Sequence, residues 1–482
     1  MKKWILQIGV LLMMLAVYNF SGFAAGQVPK PKQIVAFLDT TMLTPEKGQA
    51  QFCEEYERQT GIKLKIIQPV HNQYYDKLRL AFAAGDFPDV VEISENHYVQ
   101  YVNEGAFVEL SKYIKKSPSL SKMAKSFNVA RLKGKLYGIP TEASNGPITY
   151  IRRDWLANLG LKAPTTWKEY YQVMQAFTKN DPDQNGKDDT YGATGQGQSS
   201  IGRLTFDDNH YRDYFQNASP QFIVRRGKWV DGFMERRMRA ALLRLRRVYQ
   251  EKLIDPEIFT NKSSTCREKF QSGKAGIYPY WAGMWQVKLE ENLQKNFGKG
   301  ATIMPIAPLK GSYYLGRVPV MNAITVKAKN PEGVFKYFIE YSHDGNKGQM
   351  LFTHGVENIH WKTVNGKKVA LPELNNPKVL VQKAYYAPAL VVTPWTDGKD
   401  PIAMDPRIME SSRIFRTHCR YDQIQIFPKS REKVEAQLVT AKNDVFHKVL
   451  TGMKTVNQAL ADYRKIYRQL RIDKVLRDIN AY

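Results

Sequence analysis

The sequence predicts an α/β protein with more than one hydrophobic core, and three observations carry that prediction. Short apolar runs alternate with amphipathic helical stretches over residues 33–93, the pattern of βαβ units and a largely parallel sheet. The chain has 482 residues, beyond the roughly 250–300 at which a single core stops growing. After a mostly helical middle, strand-like runs return at "ATIMPIAPL" (301–309) and "NAITVKA" (322–328).

The N-terminus reads as a secretory signal. Lys2 and Lys3 precede the apolar stretch 4–18, and small residues at Gly22 and Ala24 predict cleavage after Ala24. The expected location is a periplasm. Cys53, Cys266 and Cys419 are scattered, so they give no disulfide framework or metal spacing, and none stands where a lipid anchor is attached.

The run "QIVAFLDTT" predicts a buried strand over Ile34–Leu38. Thr44 as N-cap, Pro45 at the first helical position and Gly61 as the stop predict the next helix. A second strand follows at 62–67. The next helix carries Tyr74, Leu78, Ala81 and Phe82 on one face, and Gly85 and Pro88 end it before a third strand over Asp89–Ile93. In parallel sheets ligands lie beyond the carboxyl ends of the strands. The residues there are Asp39, Thr40 and Thr41, then Ser94, Glu95 and Asn96.

From residue 134 the pattern shifts to a hairpin-like turn, a polar loop and a helix capped by Thr166. The basic helix 232–253 has an apolar stripe of Met234, Met238, Leu242, Leu245 and Tyr249, with arginines on its solvated face. The net charge of +25 is spread along the chain. With no arginine-rich arm, recognition helix or RNA-binding signature, that spread argues against nucleic acid. A helix is predicted at 330–342, and Val456, Leu460, Tyr463, Tyr467 and Leu470 form the stripe of a C-terminal one.

The loop "NDPDQNGKDDTYG" (180–192) has the spacing of a calcium site. Asp181, Asp183 and Asn185 take its first, third and fifth positions, Gly186 the sharp turn, Lys187 a backbone oxygen and Asp189 the ninth. Gly192 stands where an EF-hand has its closing Glu. The loop therefore reads as a structural staple and not as a switch.

The segments "YDKLRLAFAAGDFPDVVEIS", "GKLYGIP", "RRDWLANLGLKAPTTWKEY", "FQSGKAGIYPYWAGMW", "KNPEGVFKYFIEY", "GVENIHW" and "TGMKTVNQALADY" resemble, in order, landmarks of the solute-binding proteins of ABC importers with the maltose-binding-protein fold. The resemblance implies a two-lobed periplasmic-binding-protein fold whose hinge is crossed more than once. The expected division is a signal at 1–24, a first lobe at 25–143 and 303–350, and a second at 144–302 and 351–482. It implies an oligosaccharide ligand, permease subunits as partners, a monomer, and no nucleic acid. The calcium loop is similar to that of alginate-binding relatives, where a further acid follows the ninth position; here Thr190 stands in that place.

Sugar clefts present flat rings to pyranose faces and polar groups to hydroxyls. Tyr280, Trp281 and Trp285 in "YPYWAGMW" and Trp395 in a Pro- and Gly-rich loop are the candidate rings, with Glu142 and Asn145 beside the hinge for hydroxyls. Trp155 and Trp167, on helices, are expected in the core. The basic balance and the likeness to alginate-binding relatives suggest an anionic sugar, with Arg152, Arg153, Arg203 and Arg317 as candidate carboxylate partners. The competing reading is a secreted polysaccharide-cleaving enzyme. It would need a poised carboxylate pair or a nucleophile with its base. The sequence has no nucleophile elbow or zinc-ligand helix, and His360 belongs to a family landmark.

Overall fold

The computed structural model describes residues 28–39, 43–70, 73–141, 146–197, 204, 206, 210–316, 318–371, 401–402, 405–421 and 424–481. The signal segment, Thr40, Thr41, Glu142, Asn145, Arg203, Arg317 and Trp395 lie outside the described residues.

The chain opens with β1 (Gln33–Phe37), α1 (Gln49–Thr60), β2 (Lys63–Ile67), α2 (Tyr74–Ala84), β3 (Val90–Ile93) and α3 (Glu95–Asn103). The strand order of the first sheet is β2-β1-β3, all parallel, as the alternation predicts. The first helix starts later than expected. Pro45–Lys47 form a single 3-10 turn, and Gly48 at φ 82° breaks it before α1 begins. A β-carbon on Gly48 would stand 2.9 Å from Nε2 of His360, so the break is also where that imidazole packs.

The sheet is completed by β4 (Gly138–Pro140) and by a strand that returns from much later in the chain. Between them lie β5 (Pro147–Arg152), α4 (Trp167–Lys179), β6 (Tyr191–Ala193), α5 (Arg236–Gln250), α6 (Ser263–Gln271), β7 (Ala275–Trp281), α7 (Met284–Phe297), β8 (Ile303–Pro305) and β9 (Tyr314–Gly316). The returning strand, β10 (Met321–Ile324), inserts antiparallel between β3 and β4. Beyond it come α8 (Lys347–His354), α9 (Pro406–His418), β11 (Cys419–Tyr421), α10 (Glu435–Leu450) and α11 (Val456–Gln469).

A second sheet has the order β8-β5-β7-β6, with β5 antiparallel to β8 and β7. Each sheet has its own core. The first is built from residues such as Ile34, Phe52, Leu78, Val91, Met321 and Phe352. The second sheet is covered on both faces. Trp155, Phe177, Leu242, Leu245 and Tyr463 pack on one side, and Ile148, Tyr150, Tyr278 and Leu289 on the other. The expected core positions of Trp155, Met238, Leu242, Leu245, Val456, Leu460 and Tyr463 are all buried, whereas Met234 is exposed in the turn before α5.

The two cores move the expected lobe boundaries. Ile303 and Ile306 belong to the second lobe, because β8 pairs with β5 and not with the first sheet. The return to the first core begins at Val318 and extends through Leu351 and Phe352. Phe352 packs edge-on against Phe52 and Tyr56, which fixes α8 on the first lobe.

Candidate functional site

The chain passes from one edge of the first sheet to one edge of the second. Met321 pairs with both Ile93 and Pro140, so the ends of β3 and β4 and the start of β10 share one edge of the first sheet. The chain leaves that edge at Thr141, whose N–H and hydroxyl both donate to Val320 O at 2.9 and 3.1 Å. It enters the second sheet at Pro147, directly opposite Trp281 at the end of β7. The crossing is tight. A β-carbon on Gly146 would lie 2.2 Å from Leu315 O and 2.9 Å from the Phe415 ring, so only glycine fits. β9 and β11 form a parallel ribbon beside it.

On the first lobe, Asp39 follows β1 as expected and is half-buried. Its N–H donates to Glu92 Oε2 at 3.3 Å, and Gln68 Nε2 donates to its carbonyl at 2.7 Å. Next to this group the rings of Tyr75 and His97 stack with centroids 3.5 Å apart and planes within 2°. Ser94 N–H donates to the Tyr75 hydroxyl at 2.8 Å, and Ser94 Oγ lies 3.1 Å from His97 Nδ1. Burial pushes the Tyr75 hydroxyl up to about 12, and the carboxylates of Glu92 and Asp39 add to the rise.

Glu95 occupies the first turn of α3, but its Oε1 accepts the N–H of Gln425 at 2.8 Å. That contact joins the lobes. Ile424 lies in the first core, Ile426 packs on the second, and Gln425 Nε2 donates to Phe222 O at 3.1 Å. Buried Arg431 fixes the segment by donating to Ile426 O and Gln425 Oε1 at 2.9 and 3.2 Å, with Glu435 as its ion-pair partner. Asn96 shares the first turn of α3.

On the second lobe the three predicted rings belong to one core, Tyr280 buried in it and Trp281 and Trp285 half-buried against it. Trp281 is half-buried at the edge, its carbonyl held by the Tyr150 hydroxyl at 2.9 Å and its ring edge-on to His210. Tyr280 is 6% exposed, against Trp285 at 4.6 Å and Tyr278 at 5.1 Å, with Arg267 Nη1 2.9 Å from its hydroxyl. Trp285, half-buried on the first turn of α7, carries the Arg267 and Lys288 cations over its ring at 5.1 and 5.0 Å. Arg152 is also structural: it is buried, forks onto Asp154 at 2.8 and 2.5 Å and lies over Trp155. Arg153 is exposed.

The acidic loop folds tightly after α4. Asp181 accepts the N–H groups of Asn185 and Gly186 at 3.0 and 2.9 Å. Asn185 Nδ2 donates to Asp183 Oδ2 at 3.0 Å, and Lys274 Nζ sits 2.8 Å from Asp189 Oδ2. Asp183 Oδ1 is enclosed without a hydrogen-bond partner. Burial raises the Asp183 carboxyl above the usual range, with Asp181 and Asp189 pushing it further, while the Lys274 ammonium holds Asp189 below that range. Thr190 departs from its predicted place. Its hydroxyl donates to Phe177 O at 2.7 Å and so turns into the core, away from the carboxylates. Among the described residues no three His, Cys, Asp or Glu side chains are already gathered as a metal site. A cation nevertheless fits the loop, because it would satisfy Asp183 Oδ1 and cancel the repulsion among these carboxylates.

Residues 44–341 match the family of bacterial extracellular solute-binding proteins. The chain belongs to that family. Among its relatives is lipoprotein LipO of Bacillus subtilis (strain 168), 28% identical over 359 residues, 71% of this chain and 70% of that protein. The polygalacturonan/rhamnogalacturonan-binding protein YtcQ of the same organism is 32% identical over 241 residues. That match spans 48% of this chain and only 47% of YtcQ, about half the length of each. Among solved structures, the alginate-binding protein AlgQ2 without calcium ion aligns with a TM-score of 0.65 at 22% identity, covering 94% of this chain and 98% of that one. This likeness establishes the two-lobed fold.

Around the strand ends of the first sheet, and where Gln425 meets Glu95, the structure gathers residues that sequence reasoning did not single out: Gln68, Tyr75, Glu92, His97 and Gln425. One signal was available for Glu92, a single acid inside the apolar run "DVVEI". Gln425 had none, because only the third dimension brings it to Glu95.

Proposed function

We propose that this solute-binding protein captures an oligosaccharide between its lobes and delivers it, unaltered, to the permease subunits of an ABC importer. What supports this reading is that a flat ring ends a strand of the second sheet beside the crossing, while stacked rings and polar side chains gather where β1 and β3 of the first sheet end. The flat ring is Trp281, and the gathered group is Tyr75 and His97 with Asp39, Gln68 and Glu92. The family, and similar proteins named for binding polygalacturonan/rhamnogalacturonan and alginate, support it. A binding role also agrees with how the cleft carboxylates are used, since Glu92 and Glu95 accept backbone N–H groups. We further propose that it works as a monomer in the periplasm, where the basic and apolar N-terminus would direct it. No described helix is long and apolar enough to cross a membrane.

Calcium is part of the same proposal. Asp181, Asp183, Asn185, the Lys187 carbonyl and Asp189 would hold one ion, with Thr190 left out of the set. When bound, the ion supplies positive charge that fastens the loop after α4.

The test of function is a thermal-shift screen against an oligosaccharide panel, followed by mass spectrometry of the sugar that binds. A ligand that binds only the folded state raises the melting temperature by mass action. Recovery of intact sugar is the expected result, and catalytic turnover of that sugar would overturn the reading.

A further inference from the structure

Folding gathers on the second lobe cations that the sequence scatters. α5 buries Met238, Leu242 and Leu245 and turns Arg236, Arg239 and Leu243 to solvent. α11 buries Val456, Leu460 and Tyr463 and leaves Asn457, Ala461, Arg464 and Arg468 exposed as one helical stripe. The two exposed faces meet where Arg239 Nε donates to Asn457 Oδ1 at 3.1 Å, across 218 residues of sequence. The turn into α11 lies along the far end of α5. There Arg246 Nη1 donates to Lys454 O at 3.0 Å, and a β-carbon on Gly452 would stand 2.8 Å from Gln250 Nε2. Met453, in that turn, is exposed, as Leu243 is.

The acids around this face are already used. Glu235 pairs with Arg225, Glu251 with Arg247, Asp444 with Lys448, and Asp462 with Lys454 and Lys465. Asp473, beyond α11, accepts the Tyr467 hydroxyl at 3.0 Å. Among the described residues, Arg236, Arg239, Arg464 and Arg468 have no carboxylate within ion-pair distance.

We propose that this face of α5 and α11 is a docking surface for a bilayer rich in anionic phospholipid. Four guanidiniums without a counter-charge, carried on two packed helices, match phosphate oxygens, which arginine bonds as a fork. Leu243 and Met453 beside them suit the boundary between headgroups and acyl chains, where a soluble polyanion would offer them nothing. The negative potential of such a membrane draws cations over a range set by salt. The contact would hold the protein on the surface where a permease stands, so it goes beyond the binding role and depends on no particular sugar.

The experiment sediments the protein with vesicles of phosphatidylcholine alone and of phosphatidylcholine with phosphatidylglycerol, at low and high salt. Binding is expected only to the anionic vesicles, and it should fade as salt rises. Changing Arg236, Arg239, Arg464 and Arg468 together to Gln should weaken it on the order of a hundredfold. Changing Lys115, Lys116, Lys122 and Lys125 to Gln removes as many exposed cations from the first lobe. That variant should stay within about threefold of wild type, because its charges lie off the docking face. Leu243→Ser with Met453→Ser should weaken binding severalfold with every charge intact. Should the fourfold arginine variant fail to fold, Arg464→Gln with Arg468→Gln should still cost on the order of tenfold. Failure to bind phosphatidylglycerol vesicles, an equal loss in the first-lobe variant, or capture of soluble polygalacturonate in preference to vesicles overturns the inference. Each of these outcomes leaves the oligosaccharide role standing.

Discussion

Asp213 gives the second lobe a built-in pH dependence. Its side chain is fully enclosed, with Thr149 donating to one carboxylate oxygen and no hydrogen-bond partner for the other. Burial drives its carboxyl up to about 6, against the partial opposition of Thr149, Tyr170 and Arg212. An acid whose folded value lies above its unfolded one binds a proton more readily in the native state. Its stabilising contribution is therefore complete below about 4 and is lost as pH rises through about 6. The loss amounts to roughly 2–3 kcal/mol. Subtracting the stability profile of Asp213→Asn from that of wild type should isolate a fall between those two pH values, and a flat difference would refute it. Single residues were also where the sequence was hardest to read. Tyr280 and Trp281 are adjacent and chemically alike, yet β7 buries one in the core and leaves the other half-buried at its margin. Composition cannot tell which is which. That depends on which helices cover the sheet.

Elements made from contiguous residues were legible. The cap at Thr166 and the stop at Gly61 form as predicted, the first as a box with Glu169 and the second in αL, because each depends on a few neighbouring residues. The acidic loop is of this kind, since its geometry comes from Asp181 accepting N–H groups four and five residues on. Its prediction belongs at the same scale. Calcium should raise the melting temperature of wild type, and Asp183→Ala should abolish that gain while sugar affinity stays unchanged. Asp181→Ala should do the same with an added loss in chelator, because its carboxylate also organises the turn. A wild-type melting temperature that ignores chelator would remove calcium from the account. β8 and β10 show the opposite limit. Both are short apolar strands of similar composition, and they belong to different lobes because β8 finds β5 while β10 finds β3. Strand existence was readable, but partner choice was not.

At the scale of the whole molecule, the lobes are joined by more than the covalent crossings. Glu95 in the first lobe accepts the Gln425 N–H, and Gln425 is fixed to the second lobe through Phe222 O and the buried Arg431. A hydrogen bond to an ionised carboxylate contributes roughly 1.5–3 kcal/mol. Removing its charge should therefore relax the angle between the lobes without emptying either core. Glu95→Gln is expected to raise the radius of gyration of the sugar-free protein in small-angle scattering, while the sugar-bound protein stays as compact as wild type. Affinity should fall modestly, because binding must then supply the closure that the tie had favoured. A direct sugar contact by Glu95, as its place at the end of β3 first suggests, gives another pattern. Affinity would fall by an order of magnitude or more with the sugar-free radius unchanged, since the loss would be felt only in the complex. The two measurements together separate a residue that reads the ligand from one that sets how far the cleft opens to receive it.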